Sequence, residues 1–113
     1  MTVQNLAEKQ IARVVNPGDN MDREIETVFC CDLLSVAMGK APAGCAWVTV
    51  MANLNTLAVA SLADAACVIL AEGFHMDENG LKKARIQGIT VLETEGPVFD
   101  TALAVYQAMK AEK

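Results

Sequence analysis

The chain has 113 residues, 53% of them hydrophobic but only 4% aromatic, and a net charge of −5. This length predicts one domain spanning residues 1–113. An apolar share above what a small core needs predicts a buried homodimer interface. Nine Lys and Arg, clustered only at Lys82, Lys83 and Arg85, form no concentrated basic face, which argues against nucleic acid as a partner. No apolar run approaches the roughly 20 residues of a membrane span, and Met1-Thr2-Val3-Gln4-Asn5 has neither part of an export signal.

In chain order, a short helix is expected from Val3 to Gln10 behind a Thr2 cap. A strand follows from Ile11 to Val15, ended by the breakers Asn16-Pro17-Gly18-Asp19-Asn20. Glu24 to Cys31 alternates, with Ile25, Thr27, Phe29 and Cys31 on one side. Asp32 then stands where a cap would open a helix from Leu33 to Gly39, and Pro42-Ala43-Gly44 resets the chain.

Cys45 to Val50 and Ala66 to Leu70 are near-continuous apolar strands, each followed by a helix. Such strands are covered on both faces. Asp77 begins a helix through Gln87, with basic residues in its C-terminal half and Gly88 as its stop. Ile89 to Leu92 is the last strand. Pro97 opens the final helix, in which Phe99, Ala102, Leu103 and Tyr106 share a face. The order predicts a single α/β domain with a central, mostly parallel sheet and helices packed on its faces.

The four cysteines, Cys30, Cys31, Cys45 and Cys67, show no C-x-x-C spacing and no paired histidines. They read as reduced thiols of a cytoplasmic protein, and no metal or other cofactor is expected. His75 is a lone imidazole in a loop, without a matching base or nucleophile. Glu72 and Glu93 end two neighbouring strands, which suggests solvated termini or a carboxylate pair. Neither a dinucleotide-binding nor a hydrolase motif occurs.

The richest stretch runs from Ala46 to Ser61, where an apolar strand passes through Asn53 and Asn55 into an Ala-rich helix. Asn53, Asn55 and Thr56 either cap that helix or, with its free N–H groups, hold an anion at the sheet edge. Thr49 shares a strand face with Trp47 and points toward the same place. Asp32, at a second strand-to-helix junction, either caps its own helix or borders this site. Trp47 is either a wall of the site or core.

Asp22-Arg23-Glu24-Ile25, Asp32-Leu33-Leu34-Ser35, Trp47-Val48-Thr49, Asn55-Thr56-Leu57-Ala58-Val59-Ala60 and Ile69-Leu70-Ala71-Glu72-Gly73 together resemble the DRTGG-domain family in its stand-alone form. Thr27 and Val28 stand where that family carries a glycine pair. Similar domains sit beside CBS domains in regulated pyrophosphatases and within long phosphotransacetylases, and a related fold precedes the kinase domain of HPr kinase/phosphorylase. The resemblance implies dimer contacts and ligand-dependent control of an enzyme partner rather than catalysis. The kinase's phosphate loop is missing, since Gly39-Lys40 is followed by Ala41 and Leu34 replaces the first glycine.

Two functional readings lead, with a small enzyme behind them. One is a non-catalytic regulatory homodimer that senses a small anionic or nucleotide-like ligand through Asn53, Asn55, Thr56, Thr49 and Asp32. The other is an interaction module with no small ligand. The segment from Glu24 to Leu34 is the first candidate for the dimer contact.

Overall fold

The computed structural model describes residues 1–112. Helix α1 (Val3–Glu8) opens on the expected Thr2 cap, whose hydroxyl accepts from the Asn5 N–H while the Asn5 side chain accepts from the Thr2 N–H. Strand β1 (Arg13–Asn16) begins two residues later than expected. Strand β2 (Thr27–Cys30) is followed by α2 (Leu34–Lys40), β3 (Cys45–Thr49), α3 (Leu54–Ala63) and β4 (Cys67–Leu70). Helix α4 (Glu78–Gln87), β5 (Val91–Glu93) and α5 (Val98–Ala111) complete the chain.

The strands form one sheet in the order β1-β5-β4-β3-β2, parallel from β2 to β5 and antiparallel where β1 joins β5. Consecutive parallel strands are spatial neighbours, so their helices fall on the same face. Ala37 of α2, Leu57 of α3 and Ala84 of α4 pack there with Trp47, Val68 and Leu70. On the other face Val3 and Leu6 of α1 and Val105 and Met109 of α5 pack with Val48, Ile69 and Leu92. Every residue of β3 and β4 is buried, as their unbroken apolar sequences require.

Helix ends follow local chemistry. Asp77 accepts from the Gly80 N–H to start α4, and Gly88 stops it in the left-handed region at φ 69°. Asp64, also left-handed at φ 60°, ends α3 and receives both guanidinium nitrogens of Arg23 at 2.9 Å. That pair fastens the approach to β2 against the end of α3.

Three expectations are corrected. Asp32 does not cap α2, because Leu33 is the N-cap residue without a side-chain bond and the carboxylate reaches to β3 instead. Ile25 and Phe29 do not share a side: Ile25 belongs to the α5 face and Phe29 to the α2 face, because regular pairing begins only at Thr27. The buried stripe of α5 is Thr101, Val105 and Met109, flanked by Val98 and Ala102, while Phe99, Leu103 and Tyr106 are exposed.

Cys45 and Cys67 sit inside the sheet, and burial pushes their thiols up to about 11 and about 12 from an ordinary value of 9.0. The folded protein therefore keeps both protonated while the unfolded chain ionises above pH 9. Stability should fall as pH rises from about 9, by about 1 kcal/mol per pH unit for each thiol. Urea midpoints from pH 8 to 10.5 should show this slope, and the paired Cys45→Val and Cys67→Val variant should flatten it.

Candidate functional site

The carboxyl ends of β2 and β3 carry a continuous hydrogen-bonded chain. Thr49, the last residue of β3 and fully buried, donates its hydroxyl proton to Asp32 Oδ1 at 2.7 Å. The same carboxylate oxygen accepts from the Val50 N–H at 2.9 Å. Thr49 Oγ1 in turn accepts from the Met51 N–H at 3.3 Å. The Met51 carbonyl accepts from the buried Thr56 hydroxyl at 2.6 Å, and Asn53 Oδ1 accepts from the Thr56 N–H at 3.1 Å.

Met51 thus links two pairs, Asp32 with Thr49 and Asn53 with Thr56. Both threonine hydroxyls are spent on these internal bonds, so they hold the loop's shape. Asn55 lies outside the chain. It is exposed in the first turn of α3 and, among the described residues, makes no side-chain hydrogen bond. Asn53 is the cap. Trp47 is core: fully buried, it donates its indole N–H to the Cys31 carbonyl at 3.0 Å. That bond ties the β2–α2 loop, and Asp32 with it, to the sheet.

The N–H groups of Ala52, Asn53, Leu54 and Asn55 have no protein acceptor among the described residues. Two begin α3, where the positive end of the helix dipole lies. The chemistry offered is a short run of backbone donors with two amide side chains beside it. Asp32 already occupies the Val50 N–H, so the open donors begin two residues further on.

A second cluster, not assembled by sequence reasoning, lies at the end of β5. Glu93 is buried, and its Oε1 accepts from His75 Nδ1 at 2.8 Å and from Arg13 at 3.4 Å. Its Oε2 accepts from the Met76 N–H at 2.9 Å. Glu95 adds an outer contact, 3.7 Å from Arg13 and 3.8 Å from His75. His75 is therefore a bound side chain and not a free loop residue. Glu72 and Glu93 form no pair, because Glu72 takes a left-handed conformation at φ 61° and accepts from the Val98 N–H at the start of α5. Local spacing gave no signal for it, since Glu93 stands 18 residues from His75 and 80 from Arg13.

Here the chain changes faces: β4 leads to α4 on one side of the sheet and β5 to α5 on the other, the place where open α/β sheets usually hold ligands. The gap is closed. Glu72 and Gly73 donate to the Gly96 and Thr94 carbonyls, and Glu93 is saturated by its own partners. Beside the cluster lies a groove of about 500 Å³ between the end of α1, β1 and residues 93–95.

No protein-family model matches the chain, and no curated protein matches it either. Among solved structures, it superposes on the CBS and DRTGG domains of the regulatory region of a Clostridium perfringens pyrophosphatase, complexed with its activator diadenosine tetraphosphate. The TM-score is 0.73 at 13% identity, over 95% of this chain. The fold is DRTGG/CBS-like. The match covers 46% of the pyrophosphatase chain, so this protein spans about half of that length. Within the DRTGG/CBS-like fold, Thr27 and Val28 occupy an ordinary strand, β2, where no glycine conformation is required. No helix among the described residues is long and apolar enough to cross a membrane.

Proposed function

We propose that this chain is a DRTGG domain, related to the N-terminal domain of HPr kinase/phosphorylase. In this reading it is a non-catalytic, cytoplasmic homodimer that binds a small anionic or nucleotide-like ligand and controls an enzyme partner. The observation that carries the reading is the run of unpartnered N–H groups from Ala52 to Asn55 at the carboxyl edge of the sheet, flanked by Asn53 and Asn55. A fold shared with a nucleotide-activated regulatory region supports it. Asp32, Thr49 and Thr56 act by holding the β3–α3 loop so that these donors stay open.

A thermal-shift screen over nucleotides, acyl phosphates and sugar phosphates tests the proposal, since a ligand specific to the native state raises the melting temperature. The two asparagines should then separate. Asn53→Ala removes a cap and costs about 0.5–2 kcal/mol. Asn55→Ala changes stability by less than about 0.5 kcal/mol, as surface substitutions do, yet abolishes the ligand-induced shift. A ligand shift that survives Asn55→Ala, or no shift with any compound, removes the assignment. In that event the interaction-module reading takes over, which the exposed Phe99 and Tyr106 favour.

A further inference from the structure

The groove beside the Glu93 cluster, about 500 Å³, falls in the size range of small-molecule sites. It lies at the carboxyl edge of the parallel strands, on the β1–β5 side and two strands away from the β3–α3 loop. Half-buried Ala7, Ile11 and Val14 give it an apolar wall, and Arg13, Glu93 and Glu95 supply its charge.

These charges are not all spent. Arg13 reaches His75, Glu93 and Glu95 through Nη2 alone, at 3.4, 3.4 and 3.7 Å, so that Nη1 and Nε have no partner among the described residues. Glu95, 70% exposed, stands 3.7 Å from Arg13 and 3.8 Å from His75, beyond hydrogen-bond reach of either. Its carboxylate lies across Gly73, where an added Cβ at 2.6 Å from Oε2 would force it to move. Backbone donors complete the set. Gln10 turns the chain out of α1 in the left-handed region at φ 59°, and the Ile11 and Ala12 N–H groups that follow have no protein acceptor among the described residues.

Charge decides what such a groove can take. Its lining sets one cation against two carboxylates, so an anion alone is repelled. An amine alone would satisfy Glu95 but leave the free guanidinium nitrogens without an acceptor. A ligand bearing both charges, close together, answers both groups, as the Arg13–Glu95 spacing of 3.7 Å requires. The ammonium and carboxylate of an α-amino acid, one carbon apart, have that form.

We infer that this groove binds a free α-amino acid with an apolar side chain, its carboxylate on Arg13 and the Ile11 and Ala12 N–H groups and its ammonium on Glu95. The side chain lies along Ala7, Ile11 and Val14, which offer no hydrogen bond to a polar one. Glu93 touches no part of the ligand, because its oxygens are taken by His75, Arg13 and the Met76 N–H; it positions Arg13. This site is separate from the one proposed at the β3–α3 loop.

Isothermal titration of the full chain with L-leucine and with L-phenylalanine should show one site per chain with Kd below about 1 mM. The Ile11 and Ala12 amide resonances should move as the site fills. Isocaproate, which lacks the ammonium, and L-leucinamide, which lacks the carboxylate, should each bind at least about tenfold more weakly than L-leucine, as should L-serine. Arg13→Gln and Glu95→Gln alter exposed side chains and should weaken L-leucine by the same factor while the circular dichroism spectrum stays that of the parent. Binding of neither apolar amino acid at about 10 mM, equal binding of any of the three weaker compounds, or binding unchanged in either variant overturns the proposal. Asn55→Ala should leave L-leucine binding as it is. Should that variant lose it, the amino acid belongs to the β3–α3 loop, and the groove is overturned while the sensing site stands.

Discussion

Trp47→Ala should lower the unfolding free energy by about 3–5 kcal/mol, the range for emptying a fully buried large aromatic site. A domain of this size holds about 5–15 kcal/mol in all, so the variant should be partly unfolded near 37 °C. Trp47 packs with Leu57, Val68 and Leu70 under α2 and α3, and half-buried Phe29 meets it at a ring-centroid distance of 6.3 Å. The effect on the site is separable from the effect on the core. Trp47→Phe keeps most of the volume but loses the indole N–H that holds the Cys31 carbonyl, and should cost about 1 kcal/mol for that bond beyond a modest packing loss. Urea unfolding followed by circular dichroism measures both. A Phe variant as unstable as the Ala variant would contradict this division.

Glu93→Ala should produce the next largest loss, about 2 kcal/mol. Its weight comes from the buried Met76 N–H, which would be left without an acceptor at about 1–3 kcal/mol. Arg13 and His75 are half-exposed and regain water when the carboxylate is removed, so their share is small. Glu93→Gln keeps an acceptor for Met76 and should lose about half as much. Thermal denaturation of the two variants gives the ratio, and an amide resonance shift at Met76 reports the broken bond directly.

The strands β3 and β4 were legible because nothing but a two-sided core suits Cys45-Ala46-Trp47-Val48 or Cys67-Val68-Ile69-Leu70. The same holds for α4, whose Asp77 cap and Gly88 stop are local chemistry. Helix α5 was misjudged for a physical reason: it carries apolar residues on two adjoining flanks, and periodicity alone does not say which one meets the sheet. The larger set looked like the core, yet it is Thr101, Val105 and Met109 that the sheet buries. Asp32 was placed in the right neighbourhood with the wrong partner, since its bonds to Thr49 and Val50 cross between strands and leave no trace in local spacing. The Glu93 cluster escaped for the same reason, because Arg13 and Glu93 are 80 residues apart.

That separation has a consequence for the order in which the molecule assembles. From β2 to β5 each strand joins the one before it through a short helical crossover, so the parallel array can grow by successive small loop closures. Strand β1 is different, because it must wait for β5 and then close the longest loop in the sheet. The amino-terminal strand should therefore be the last piece to dock in folding and the first to open from the native state, a local unit whose amides should exchange with solvent sooner than those of β3 and β4.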